Sequence, residues 1–153
     1  MIEMPHLVLK SEGPLPVPAL VERLTDLDPE RASFTAPWSL ARTFHHLAQG
    51  VEFSVQGYPE LKPRVFRATL GRGAFHLFHR KGAMRHATDA VIPGEAVQDG
   101  DPVAARDRLV AALLTFEDTD ALHPHFAFGT LSKPHYAAAH GMHVADHLHE
   151  CCV

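Results

Sequence analysis

Cysteine is nearly missing from this chain. Its two copies, Cys151 and Cys152, are adjacent and cannot close a loop, which excludes a disulfide framework and points to reduced thiols. Long apolar runs are missing too. No stretch approaches the roughly 18 residues of a membrane-crossing helix, and the opening MIEMPHLVLKSEG lacks a basic region followed by an apolar one. The expectation is a soluble, cytoplasmic protein with no membrane partner. Internal repeats, low-complexity tracts and splitting linkers are also absent. A chain of 153 residues suits one domain, 1–153, burying about two-thirds of its unfolded surface.

One segment lacks acidic residues. None falls between Glu60 and Asp89, yet Lys62, Arg64, Arg67, Arg72, Arg80, Lys81 and Arg85 make up half of the 14 Lys and Arg. In a chain of net charge −4 this is a local cationic stretch, with Arg67, Arg72 and Arg80 as candidate anion-binding residues. A solvated loop with its charges spread in space is the plainer account. The acidic balance overall and the lack of a docking motif argue against nucleic acid.

Histidine is abundant, with 13 copies, five of them in Ser132 to Cys152, SKPHYAAAHGMHVADHLHECC. Ser132 as N-cap and Pro134 in the first turn predict a helix start. At 100° per residue, His140, His143 and His147 fall within about 60° of one another, on a stripe shared with Tyr136, Val144 and Cys151, while His149 lies opposite. Histidines at i and i+4, here His143 and His147, can place two ligands on one metal ion. Alone, HxxxH is a weak signal, since solvated or core histidines give the same spacing.

A third ligand comes from an earlier helix. In TAPWSLARTFHHLAQGVEFSVQGYPE, Thr35 is a possible cap and Pro37 sits near the first turn of a helix running to about Gly57. Leu40, Phe44, Leu47, Ala48, Val51 and Val55 form its apolar face. His46 shares a strip with Ser39, Thr43, Gly50 and Phe53, mostly small side chains that leave a pocket. His45 shares its strip with Gln49, Glu52 and Gln56 and is expected to face water. The remaining helices follow from the same periodicity. Val17, Leu20, Val21, Leu24 and Leu27 mark an amphipathic first helix, ending near Pro29. Asp101 and Pro102 open another, with a stripe of Val103, Leu109, Val110, Leu113 and Phe116, ending near Asp118. Residues 58–100 are too long for a plain connection and are expected to cover one end of a bundle. They read as a short helix interrupted at Gly71 and Gly73, then a turn-rich IPGEAVQDGD.

Four helices, one histidine on the second and HxxxH on the fourth resemble the DinB-like superfamily of metal-binding four-helix bundles. PWSLARTFHHLAQG, FRATLGRGAFHLFHRKGAM…IPGE and HPHFAFGTLSK…HGMHVADHLHE are similar to a bacterial branch labelled a domain of unknown function. The resemblance spans Trp38 to Glu150. It implies an all-α DinB-like four-helix bundle with a long crossover between helices 2 and 3, and it places the superfamily's metal triad on His46, His143 and His147. Two departures stand out. The branch carries two adjacent histidines and a glutamine where this chain reads DHLHE, so Asp146 and Glu150 replace them, and its HPxFG-like turn is stretched here to HPHFAFG.

Three neutral imidazoles hold a divalent ion, zinc first and nickel second, and leave a position for water or a small-molecule substrate. Thr43, Gly50, Phe53, Tyr136 and His140 are the candidate pocket residues. Zinc can lower the pKa of bound water towards about 7 for hydrolysis, or activate the thiolate of a low-molecular-weight thiol. The resemblance implies both chemistries, since characterised superfamily members include thiol-using transferases and isomerases and hydrolase-like proteins. A thiol-dependent S-transferase is the first expectation. A metal-dependent hydrolase and a non-catalytic bundle with a structural or sensing metal are the alternatives. A fourth ligand from His140 or Cys151 would favour the structural role. Glu52 and Glu150 are candidate acid–base residues, and a homodimer is expected.

Overall fold

The computed structural model describes residues 15–84, 89–149, 151 and 152. The fold is mostly helical. Its helices are α1 (Val17–Asp26), α2 (Leu40–Gln56), α3 (Arg64–Phe66), α4 (Arg72–Lys81), α5 (Pro102–Glu117) and α6 (Lys133–Leu148), with a π-helical turn (Arg67–Gly71) joining α3 to α4. None of the described helices is long and apolar enough to cross a membrane.

Local chemistry sets the helix starts. Asp101 accepts the Val103 and Ala104 N–H groups at the head of α5, and Ser132 accepts that of His135 at the head of α6. In α2 the cap is Ser39, which accepts from the Arg42 N–H at 3.1 Å, rather than Thr35. The shift has a physical cause: Ser33–Phe34 form a short strand, β1, paired antiparallel with β2 (Cys151–Cys152). The chain must leave that strand before it can coil. The end of α1 is closed by α5, whose Arg106 guanidinium donates to the Leu24 and Leu27 carbonyls at 3.0 and 2.6 Å. Those carbonyls would otherwise lack intrahelical partners.

α2 packs along α5 and also meets α6, and α1 lies against both α5 and α6. Between them lies one core in which Leu24, Phe44, Leu47, Leu109, Leu113 and Phe116 are fully enclosed. Burial of each such side chain contributes about 1.5–3 kcal/mol. The strip expected to face water does so only at Gln56, which is exposed, whereas His45 and Glu52 are half-buried. Gln49 is buried and pairs with the backbone of Ala96, accepting its N–H at 2.8 Å and donating to its carbonyl at 2.7 Å. Glu52 receives a bidentate Arg108 from α5 at 2.8 and 2.9 Å, and the same guanidinium reaches His45 Nδ1 at 3.1 Å. A polar strip here seals two interfaces because each partner is polar as well.

The segment after α2 also differs from expectation. Helix continues through both Gly71 and Gly73 to Lys81, and closes on Gly82 in the left-handed conformation. Gly71 is needed for contact, since a Cβ there would lie 1.8 Å from the Ala127 carbonyl oxygen. The π turn coincides with that contact. Residues 90–100 then return across α2, held by the Gln49–Ala96 pair and by Ser39, whose hydroxyl donates to Asp99 at 2.6 Å.

Candidate metal centre

His46 sits in the middle of α2, where Thr43 and Gly50 on the same strip take little space. His143 and His147, one turn apart on α6, face it. The ring centroids lie 5.0 Å apart for His46 and His143, 4.6 Å for His46 and His147, and 4.8 Å for His143 and His147. One ligand atom from each falls within 4.8 Å of the other two. His46 and His147 are buried and His143 is partly so. Trp38, just before α2, walls one side, edge-on to His46 at 5.1 Å and stacked on His147 at 6.1 Å.

The donor set fits a divalent ion. His46 Nε2 lies 3.2 Å from His143 Nε2. Two ligands held about 2.0–2.1 Å from a tetrahedral zinc keep a spacing of about 3.4 Å. His46 is also oriented: its Nδ1–H donates to Glu95 Oε1 at 2.7 Å, with both side chains nearly sealed from solvent. A carboxylate only accepts, so Nδ1 carries a proton and Nε2 is the ring atom turned towards the other imidazoles. This is the outer-sphere arrangement that positions metal-binding histidines. Among the described residues the group stays at three.

Glu95 is held by its own turn. Ile92-Pro93-Gly94-Glu95 closes with the Glu95 N–H on the Ile92 carbonyl at 2.9 Å, and Gly94 has φ +84°. Proline and glycine at the two central positions make a type II turn. The Ile92 N–H donates back to Glu95 Oε1 at 2.6 Å, so one oxygen serves both the turn and the histidine. Glu52, considered for an acid–base role, is instead bound to Arg108. Glu150 lies outside the described residues.

A cavity of about 240 Å³ opens beside the cluster. His46, His143, Gly50 and Ile92 form its wall on the metal side, while His125, His140, Lys62 and several aromatic side chains close the rest. Of the five expected pocket residues, Gly50 and His140 line it, whereas Thr43, Phe53 and Tyr136 are not among its lining residues. Thr43 donates to the Ser39 carbonyl at 2.9 Å and Tyr136 to that of His123 at 2.6 Å, so both serve the fold. Arg67, Arg72 and Arg80 do not line it either. Arg67 donates to the Lys62 carbonyl at 2.8 Å and Arg72 to that of Thr130 at 2.6 Å, stapling helix to loop, and Arg80 is exposed. Among the described residues of that segment, Lys62 is the cation that lines the cavity.

His140 is bound to the Ser54 hydroxyl at 3.0 Å, and burial pushes its pKa down to about 3. It therefore remains neutral and stands apart from the three-histidine group. Cys151 is buried in β2, beside Phe34 of β1, and is likewise outside the group. Burial also raises the Tyr58 and Tyr136 hydroxyls well above the usual tyrosine range.

Fold and site together define a helical protein with three clustered histidines, one of them oriented from outside by a carboxylate, that could hold a divalent metal ion. The chain belongs to the family described as "Protein of unknown function (DUF1569)", which it matches over residues 17–152. No curated protein and no solved structure matches it.

Proposed function

We propose that the chain is a metal-dependent enzyme of DinB-like four-helix-bundle architecture. In this reading α1, α2, α5 and α6 are the bundle, the chain between α2 and α5 is the crossover, and His46, His143 and His147 hold the ion. Zinc is the first choice and nickel the second. The observation that carries the reading is Glu95 fixing His46 so that its Nε2 stands 3.2 Å from that of His143. A structural zinc site commonly has four protein ligands. Here His140 is engaged by Ser54, which favours a position left for substrate.

The ion would act as a Lewis acid on a group bound at that position. The chain supplies the rest. Glu95 holds the His46 tautomer, Trp38 packs against two of the ligand rings, and the apolar cavity holds the body of a small-molecule substrate. The reaction proposed is transfer of a low-molecular-weight thiol: the thiol gives up its proton to solvent, its sulfur forms a bond to an electrophilic carbon, and the leaving group departs from that carbon with its bonding pair. A cytoplasmic location supplies such thiols in reduced form. A homodimer is also proposed, in which a second copy would cover Val65 and Leu70, exposed by 75% and 71%.

The test is conjugation of an activated aryl halide by glutathione, cysteine and other small thiols. Zinc-loaded protein should raise the rate above that of metal-free protein. Equal rates for zinc-loaded and metal-free protein with every thiol would reject the transferase reading. Metal-dependent cleavage of an activated ester would then point to hydrolysis, and metal content with neither activity to a non-catalytic site.

A further inference from the structure

The loop between α5 and α6 carries a histidine that the metal site does not use. His125 forms an isolated bridge with Gly129: its N–H donates to the Gly129 carbonyl at 2.9 Å and its carbonyl accepts from the Gly129 N–H at 3.1 Å. Inside that turn, His125 Nδ1 accepts from the Ala127 and Phe128 N–H groups at 3.1 and 3.0 Å. The ring lies flat against Phe128, with centroids 4.2 Å apart and planes 9° apart. The loop is itself pinned, because the Ala127 carbonyl sits where Gly71 has no side chain.

These contacts settle the tautomer. An Nδ1 that accepts two hydrogen bonds is a lone pair, so the proton is on Nε2. His125 lines the same cavity as His46 and His143, and Lys62 lines it too. Burial drives the pKa of His125 down to about 3, with His140 adding to the effect, so the ring stays neutral in neutral solution. A donor fixed before the ligand arrives costs little to order on binding.

We infer that His125 is a ligand-binding residue, whose Nε2–H donates to the carboxylate of an apolar small molecule held in this cavity, with Lys62 supplying the complementary charge. The inference rests on the proposed function only in taking this cavity for the substrate's, and it concerns residues outside the three-histidine group. The apolar walls receive the ligand body and the two polar groups receive its acid. The turn closed by His125 and Gly129 holds this imidazole in the wall.

The test separates the two ends of the ring. His125→Asn keeps an oxygen where Nδ1 accepts the loop N–H groups and removes the distal donor. His125→Gln keeps an N–H near Nε2 and gives up the loop cap. Binding of phenylacetate and of ethylbenzene to the full chain is measured by ligand-observed NMR, in zinc-loaded and in chelator-stripped protein. In stripped protein the carboxylate has no ion to report. His125→Asn should weaken phenylacetate about ten- to a hundredfold, the loss carried by a hydrogen bond to a charged group, and leave ethylbenzene unchanged. His125→Gln should retain more of the preference. Lys62→Met, which leaves the loop intact, should weaken phenylacetate by up to about fivefold. Equal phenylacetate affinity in His125→Asn and wild type, or no preference for phenylacetate over ethylbenzene in wild type, overturns the inference. Absence of zinc uptake with the preference intact would instead sink the metal reading alone.

Discussion

Glu95→Gln isolates the carboxylate behind the metal site. The substituted amide can still offer one oxygen to the Ile92 N–H and the His46 Nδ1–H, the two donors that Glu95 Oε1 now receives at 2.6 and 2.7 Å. The turn is therefore kept while the negative charge behind the imidazole is lost. Removing an outer-sphere partner of this kind lowers metal affinity about 10- to 100-fold, or roughly 1.4–2.7 kcal/mol. Glu95→Ala should exceed this, because it leaves two nearly buried N–H groups without an acceptor. The assay is competition for zinc against a chromophoric chelator, with circular dichroism to confirm retained helix. Glu52→Gln is the matched control. Glu52 is bound to Arg108 on α5 and does not belong to the three-histidine group, so its loss should leave zinc affinity within about twofold. Equal zinc affinity in wild type, Glu95→Gln and Glu95→Ala would refute the orienting role.

The neighbouring histidines make a second contrast: His46→Ala should abolish stoichiometric zinc in elemental analysis and His45→Ala should not, whereas equal losses would mean the helix phase is misread. Acid stability provides a third. Burial lowers the His140 pKa from 6.5 to about 3, so its contribution is full above pH 6.5 and is lost as pH falls from there towards 3. In urea titrations of metal-free protein, His140→Gln should lower the slope of stability against pH in that window by up to about 1.4 kcal/mol per unit, and an unchanged slope would contradict the assignment. Gly71→Ala would place a methyl group 1.8 Å from the Ala127 carbonyl oxygen. Overpacking of this sort costs about 1–3 kcal/mol, read as a lower urea midpoint, and a midpoint equal to wild type would show that the helix and loop are not in contact.

The helices and two of their caps were legible because they are local. Asp101 and Ser132 precede apolar stripes and cap the elements expected of them. His46 stood out through the small residues around it, a property of its own helix. What stayed hidden depends on chain segments meeting at a distance. Nothing near Gln49 or Glu52 announces that Ala96 and Arg108 will satisfy them, so a polar strip read as a solvated one. Pro93 and Gly94 do announce a turn. That the turn lands on α2 and aims Glu95 at His46 is set by the return of residues 90–100, not by their local pattern. The β1–β2 pair has two residues on each strand, too few for any periodicity to register.

The central claim is that His46, His143 and His147 share one ion. Crystals grown with zinc, with diffraction recorded on both sides of its absorption edge, test it most directly. The account predicts a single anomalous peak per chain about 2.0–2.1 Å from one nitrogen of each imidazole. A peak elsewhere, or none at this site with zinc present, would contradict it.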